Sequence, residues 1–211
     1  MTLRPWARRI AVGATSAAAL VALAVPAEAA APATTSTSAT AAVTAAADVD
    51  YATWQRDCQA VMDQALPYLK QRIADARPGE KQAVVFDIDN TTLETDFGFS
   101  FPQPANRPAL RVAQYAQDHG VALFFVTARP GIIAGVTDFN LEHVGYDVSG
   151  LYVRGFLDLF RNVADYKTAQ RVDIEKRGYT IIANIGNSAT DLSGGHAEKT
   201  YKLPDYGGQL S

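Results

Sequence analysis

Cysteine is nearly missing: Cys58 stands alone among 211 residues. A single thiol can close no intrachain disulfide and build no thiolate metal cluster. Basic runs are missing too. The formal charge is −3, and no stripe of lysine or arginine offers a nucleic-acid backbone a footing, which argues against nucleic acid as a partner. No internal repeat is apparent. The longest apolar stretch, IAVGATSAAALVALAV, runs for 16 residues from 10 to 25, short for a bilayer span.

That stretch has another use. Arg4, Arg8 and Arg9 precede it, and Pro26 and then Ala27-Glu28-Ala29 follow it. A basic start, an apolar middle and a small-residue site read as a secretory signal peptide over 1–29, with an uncleaved anchor as the alternative. The arginine pair in ARRIAV is a weak match to a twin-arginine signal. Removing this leader, with three arginines against one acid, makes the rest two units more negative. Residues 30–47 are almost wholly Ala, Thr, Ser and Pro and read as a flexible linker. LPDYG, at 203–207, has Tyr206 where a sortase signal needs threonine. The expected product is a secreted, extracellular protein, off the membrane once cleaved. Its folded domain would span 48–211, enough to bury a core without staples. The sequence sets no oligomeric state.

Within that domain, Trp54, Cys58, Val61, Ala65, Leu69 and Ile73 recur at spacings of three and four, which predicts a helix over 48–76. Short apolar runs predict buried strands at 83–86, 121–126, 151–153, 180–185 and 200–203. Helices are expected from Asn106-Arg107-Pro108 to Gly120, from Pro130 towards His143 and Gly145, and from a capping Asp165 to about Arg177. Strands alternating with helices imply a mainly parallel sheet covered on both faces, an α/β architecture with an N-terminal helical extension. The strands are apolar throughout, as burial on both faces requires.

Ligands of such sheets sit beyond the carboxyl ends of the strands, so the residues there matter most. VVF is followed by Asp87 and Asp89, FFV by Thr127 and Arg129, and TIIANI by Gly186, Asn187 and, four residues on, Asp191. The last predicted helix begins Asp165-Tyr166-Lys167. In extended backbone Asp87 and Asp89 face the same way while Ile88 points to the core. Two adjacent anions repel unless a cation intervenes. A divalent, oxygen-loving cation would hold them and bridge to a phosphate. DIDNTTLETDFG is no calcium loop, since Thr92 and Gly98 stand where glycine and glutamate are needed.

DIDNTTL resembles the first motif, D-x-D-x-T, of the haloacid-dehalogenase (HAD) superfamily. FFVTAR, YKTAQR and GNSATD resemble its second, third and fourth motifs, in order. The wider text, from FFVTARPGIIAGVTDFNLEHVGY to YKLPDY, resembles the class B-type acid phosphatases and the plant vegetative storage proteins over about 54–206. The resemblance implies a three-layer Rossmann-like fold and a Mg²⁺-dependent phosphomonoesterase acting on small esters. The segment between the first two motifs is too short for a large cap. Asp87 would attack phosphorus and form an aspartyl-phosphate. Asp89 would protonate the leaving alcohol and then activate water. Thr127 would hydrogen-bond a phosphoryl oxygen, and Lys167 would neutralise charge on the others. The Mg²⁺ site would comprise Asp87, the carbonyl of Asp89 and Asn187, with Asp191 orienting a metal-bound water or Lys167. Arg129 could bind phosphate or pair with an acid. The three histidines, none in an R-H-G motif, and Cys58 read as structural; Phe97, Phe99 and Phe101 read as packing.

The alternative is a catalytically weakened binding or storage protein, kept open by one departure. The fourth motif of the family usually begins G-D, and here it is Gly186-Asn187. An amide oxygen brings no charge to a hard cation. Asn187→Asp is therefore expected to lower the Mg²⁺ concentration that half-activates phosphate-ester hydrolysis. A Mg²⁺ titration showing an unchanged or higher requirement would refute this.

Overall fold

The computed structural model describes residues 49–98 and 100–210. The leader over 1–29, the linker over 30–47 and Phe99 lie outside the described residues. Among those described, no helix is long and apolar enough to cross a membrane.

The first helix, α1 (Tyr51–Ala74), starts at Asp50, whose carboxylate accepts from the N–H groups of Ala52 and Thr53. This satisfies donors that the first helical turn leaves open. Its buried stripe is Trp54, Cys58, Met62, Ala65 and Leu69. Burial pushes the Cys58 thiol up to about 12, so it is an inert packing group at neutral pH. Then follow β1 (Lys81–Phe86), α2 (Arg107–Asp118), β2 (Ala122–Pro130), α3 (Ala134–His143), β3 (Val148–Arg154), α4 (Val163–Lys176), β4 (Tyr179–Gly186), α5 (Ala189–Leu192) and β5 (Thr200–Lys202).

The five strands form one parallel sheet in the order β3-β2-β1-β4-β5. Alternate residues feed two cores. Val84 and Phe86 of β1 join Leu123 and Phe125 of β2 under α1 and α2. Ala83, Val85, Phe124 and Val126 face the other way, against Tyr166 and Ile174 of α4. These are the three layers that the apolar strands imply.

Two helix starts differ in kind from the sequence reading. Pro130 does not open a helix; its extended ψ of 149° ends β2, and a single 3-10 turn (Gly131–Ile133) precedes α3. Asp165 does not cap α4. Asn162 does, accepting from Ala164 N–H, and Asp165 lies inside the first turn. An acid there still suits the helix dipole.

Gly150 of β3 lies against Phe124, and a Cβ at that position would come within 2.8 Å of the ring. Gly150→Ala should therefore destabilise the domain by about 1–3 kcal/mol through overpacking, read as a lower urea midpoint.

Candidate active site

β1 and β4 are neighbours, so their carboxyl ends deliver Asp87 and Asn187 side by side. The N–H of Asp87 still donates into the sheet, to Ile185 O at 2.9 Å. Beyond it the chain breaks from the strand, with Asn90 in the left-handed region at φ 51°. Thr92 Oγ1 donates back to the Asp87 carbonyl at 3.2 Å and holds this turn closed.

Lys167, on the second turn of α4, reaches over from the other face of the sheet. Its Nζ lies 2.6 Å from Asp87 Oδ1 and 2.5 Å from Asp191 Oδ1. All three residues are buried. Burial pushes the Asp87 carboxyl up to about 6; the Lys167 ammonium opposes this, and the charges of Asp191 and Asp89 add to it. Burial works to lower the Lys167 pKa, but the two carboxylates outweigh it and hold the amine above its usual value.

Asp191 is gripped on every side. Its Oδ2 accepts from Ser188 N–H at 2.7 Å, as half of a capping box on α5. Its main-chain carbonyl accepts from Arg171 Nη1 at 2.8 Å and Asn184 Nδ2 at 2.9 Å. The buried Arg171 guanidinium also donates to the carbonyls of Ser193 and Gly195. Gly186 must have no side chain here, since a Cβ would come within 2.4 Å of that of Asp191. Both carboxylate oxygens of Asp191 are thus engaged by the protein. Its Oδ1 holds Lys167, and its Oδ2 is taken by the capping box.

Asp89 is more open, its side chain 36% exposed. Arg129 embraces it: Nε lies 3.1 Å from both oxygens and Nη2 2.8 Å from Oδ1. Thr95 Oγ1 adds a bond at 2.9 Å. The remaining Arg129 donors go to Gln103 and Thr137. Of the two roles left open for Arg129, the structure shows the acid pairing. Thr127 is fully buried, and its Oγ1 accepts from Arg129 N–H at 3.1 Å.

A cavity of about 420 Å³ joins these groups. Asp87, Asp89, Lys167, Asn187 and Asp191 line it; Thr127 and Arg129 do not. Sequence reasoning missed Asn90, Thr95 and Asp96 on its wall. DIDNTTLETD contained all three, but nothing in their spacing set them apart. A larger cleft of about 520 Å³, lined by Glu175, His196 and Glu198, lies at the opposite, amino end of β4 and holds none of these residues.

Of the described residues, no three His, Cys, Asp or Glu side chains are grouped to cage a metal. The donor set nevertheless fits a hard cation. Two buried carboxylates share one ammonium, which leaves a negative charge uncompensated. The Asp87 and Asp89 carboxylates and the Asn187 amide share the cavity wall, and all of them offer the hard oxygens such a cation takes.

The chain is similar to several known proteins. The family described as HAD superfamily, subfamily IIIB (Acid phosphatase), matches residues 6–103 and 99–209. The stem 28 kDa glycoprotein of Glycine max is 29% identical over 176 residues, covering 72% of this chain and 68% of its own. Acid phosphatase 1 of Solanum lycopersicum is 25% identical over 174 residues, with the same coverage of 72% and 68%. Among solved structures, the class C acid phosphatase from Bacillus anthracis superposes with a TM-score of 0.55 at 16% identity, covering 69% of this chain and 67% of that one. At that identity the match speaks for the fold.

The elevated Asp87 pKa has a sign. The folded protein holds this proton more tightly than the unfolded chain, so ionising Asp87 works against folding. Relative to Asp87→Asn, the metal-free protein should lose up to about 3 kcal/mol of stability as pH rises from about 4 to about 6. Urea titrations of both proteins in a chelator check this; a difference independent of pH refutes it.

Proposed function

We propose a secreted phosphomonoesterase from one premise: this chain belongs to subfamily IIIB of the HAD superfamily, the acid phosphatases. One observation carries the reading. A nucleophile-competent carboxylate at a strand end, Asp87, meets a buried lysine at 2.6 Å beside a second, more open carboxylate, Asp89.

The division of labour follows from the surroundings. Asp87 is nearly enclosed and held by Lys167, so its free oxygen is aimed into the cavity as the nucleophile. It attacks phosphorus, the ester P–O bond breaks, and an aspartyl-phosphate forms. Asp89 is open enough to exchange protons, and it gives one to the departing alcohol. It then takes one from the water that hydrolyses the acyl-phosphate, which frees Asp87 and inorganic phosphate. Lys167 offsets negative charge on the phosphoryl oxygens. The Thr127 hydroxyl, already accepting from Arg129 N–H, has its proton free to donate to one of them.

Asp87, the Asp89 carbonyl and the Asn187 amide oxygen would hold Mg²⁺. When bound, the cation supplies positive charge against the phosphate and the uncompensated carboxylate. The basic start, apolar middle and A-x-A site of residues 1–29 support export. The open cavity, with no large cap over it, suits small phosphate esters.

A second reading, a weakened binding or storage protein, is favoured by the neutral Asn187 and by the likeness to the stem 28 kDa glycoprotein of Glycine max. Hydrolysis of a chromogenic phosphate ester in Mg²⁺ separates the two. The wild type should turn over, and Asp87→Asn should fall to background. Thr127→Val should lose roughly a hundredfold in kcat, the cost of one missing donor to the developing charge. Failure of the wild type to turn over, or full activity in Asp87→Asn, sinks the enzymatic reading.

A further inference from the structure

The C-terminal segment reaches back into the cavity wall. Beyond β5 the chain turns, and the main-chain carbonyl of Leu210 receives two side-chain amides, Asn90 Nδ2 at 3.1 Å and Asn187 Nδ2 in close contact. Both asparagines line the cavity and both are 2% exposed. The Leu210 side chain sinks into the core. The segment is pinned further by Tyr206 Oη to Asp57 at 2.7 Å and by Lys202 to Asp205 at 2.9 Å.

A side-chain amide has two unlike ends. Only its oxygen can ligate a cation, whereas its NH₂ carries partial positive charge. The Leu210 carbonyl is an acceptor and can receive only the NH₂ end of Asn187. The oxygen is thereby turned to the other side, where it accepts from Thr91 Oγ1 at 3.3 Å. A carboxylate at this position would need no such setting, because both of its ends are oxygens. It would also meet the Leu210 carbonyl acceptor against acceptor.

We propose that the Leu210 carbonyl is a positioning group: it turns the Asn187 amide oxygen-first towards the cation position. The C-terminal segment is thus a working part of a site whose fourth-motif ligand is neutral. The cation in this inference rests on the phosphomonoesterase reading; the orientation of the amide rests on geometry alone.

The test is a double-mutant cycle on Mg²⁺ binding, measured by calorimetry without substrate. Ending the chain after Gly208 should weaken Mg²⁺ binding about tenfold, the usual cost of losing a group that orients a metal ligand. In the Asn187→Asp background the same truncation should change binding by less than about twofold. Inserting one glycine after Gly208 displaces the carbonyl without removing a side chain, and should act like the truncation. Gln209→Ala, at the exposed neighbouring position, keeps both the carbonyl and the buried Leu210 side chain and should bind as the wild type does. Equal weakening in both backgrounds overturns the proposal, because a purely structural tail would act on both. So does weakening in Gln209→Ala equal to that of the truncation, or no weakening at all. Full-length protein that shows the cycle but hydrolyses no phosphate ester overturns the enzymatic reading and supports the positioning one. Full-length protein that binds no Mg²⁺ overturns both.

Discussion

One ammonium serves two buried carboxylates, and the site is arranged around that shortage of positive charge. Lys167 cannot neutralise Asp87 and Asp191 together, and the guanidinium of Arg129 is already spent on Asp89. With every group ionised the cluster carries one net negative charge, which would repel a phosphate ester. A divalent cation reverses that sign and makes the cavity attractive to the same anion. Ionised groups without it are costly to hold in the interior, so the sheet, the two flanking layers and the capped α4 all serve to keep them there.

The two aspartates of the first motif differ because their surroundings differ. Asp87 continues the hydrogen bonding of β1 and sits under Lys167, away from solvent. Asp89, two residues on, has left the strand and meets Arg129, Thr95 and the open cavity. Two carboxylates of the same chemistry thus sit in unlike surroundings, one buried under Lys167 and one open to the cavity, and the proposed division of roles between them rests on that difference. Arg129 holds the second in a set direction through three short contacts.

Much of this was legible in the residues themselves. Apolar runs ending in polar residues placed every strand, and the polar residues that followed were the ones brought to one edge. What the sequence left open was pairing across distance. Arg129 could turn towards phosphate or towards an acid; here it meets Asp89, Gln103 and Thr137, and no local pattern encodes that trio. The grip of Leu210 on Asn90 and Asn187 joins residues 120 and 23 positions apart. Four-residue α5 is too short to show a period, and its capping box uses the same aspartate that meets Lys167. The α4 cap lies three residues earlier than the Asp165 expected, at Asn162.

Arg171 ties the loop after α5 to α4, the helix that carries Lys167. Lysine and aspartate are therefore mounted on a common chassis, cross-braced by a guanidinium sealed from water. Asp87 is mounted separately, on the central strand, so the Asp87–Lys167 contact joins two mountings while the Lys167–Asp191 contact lies within one.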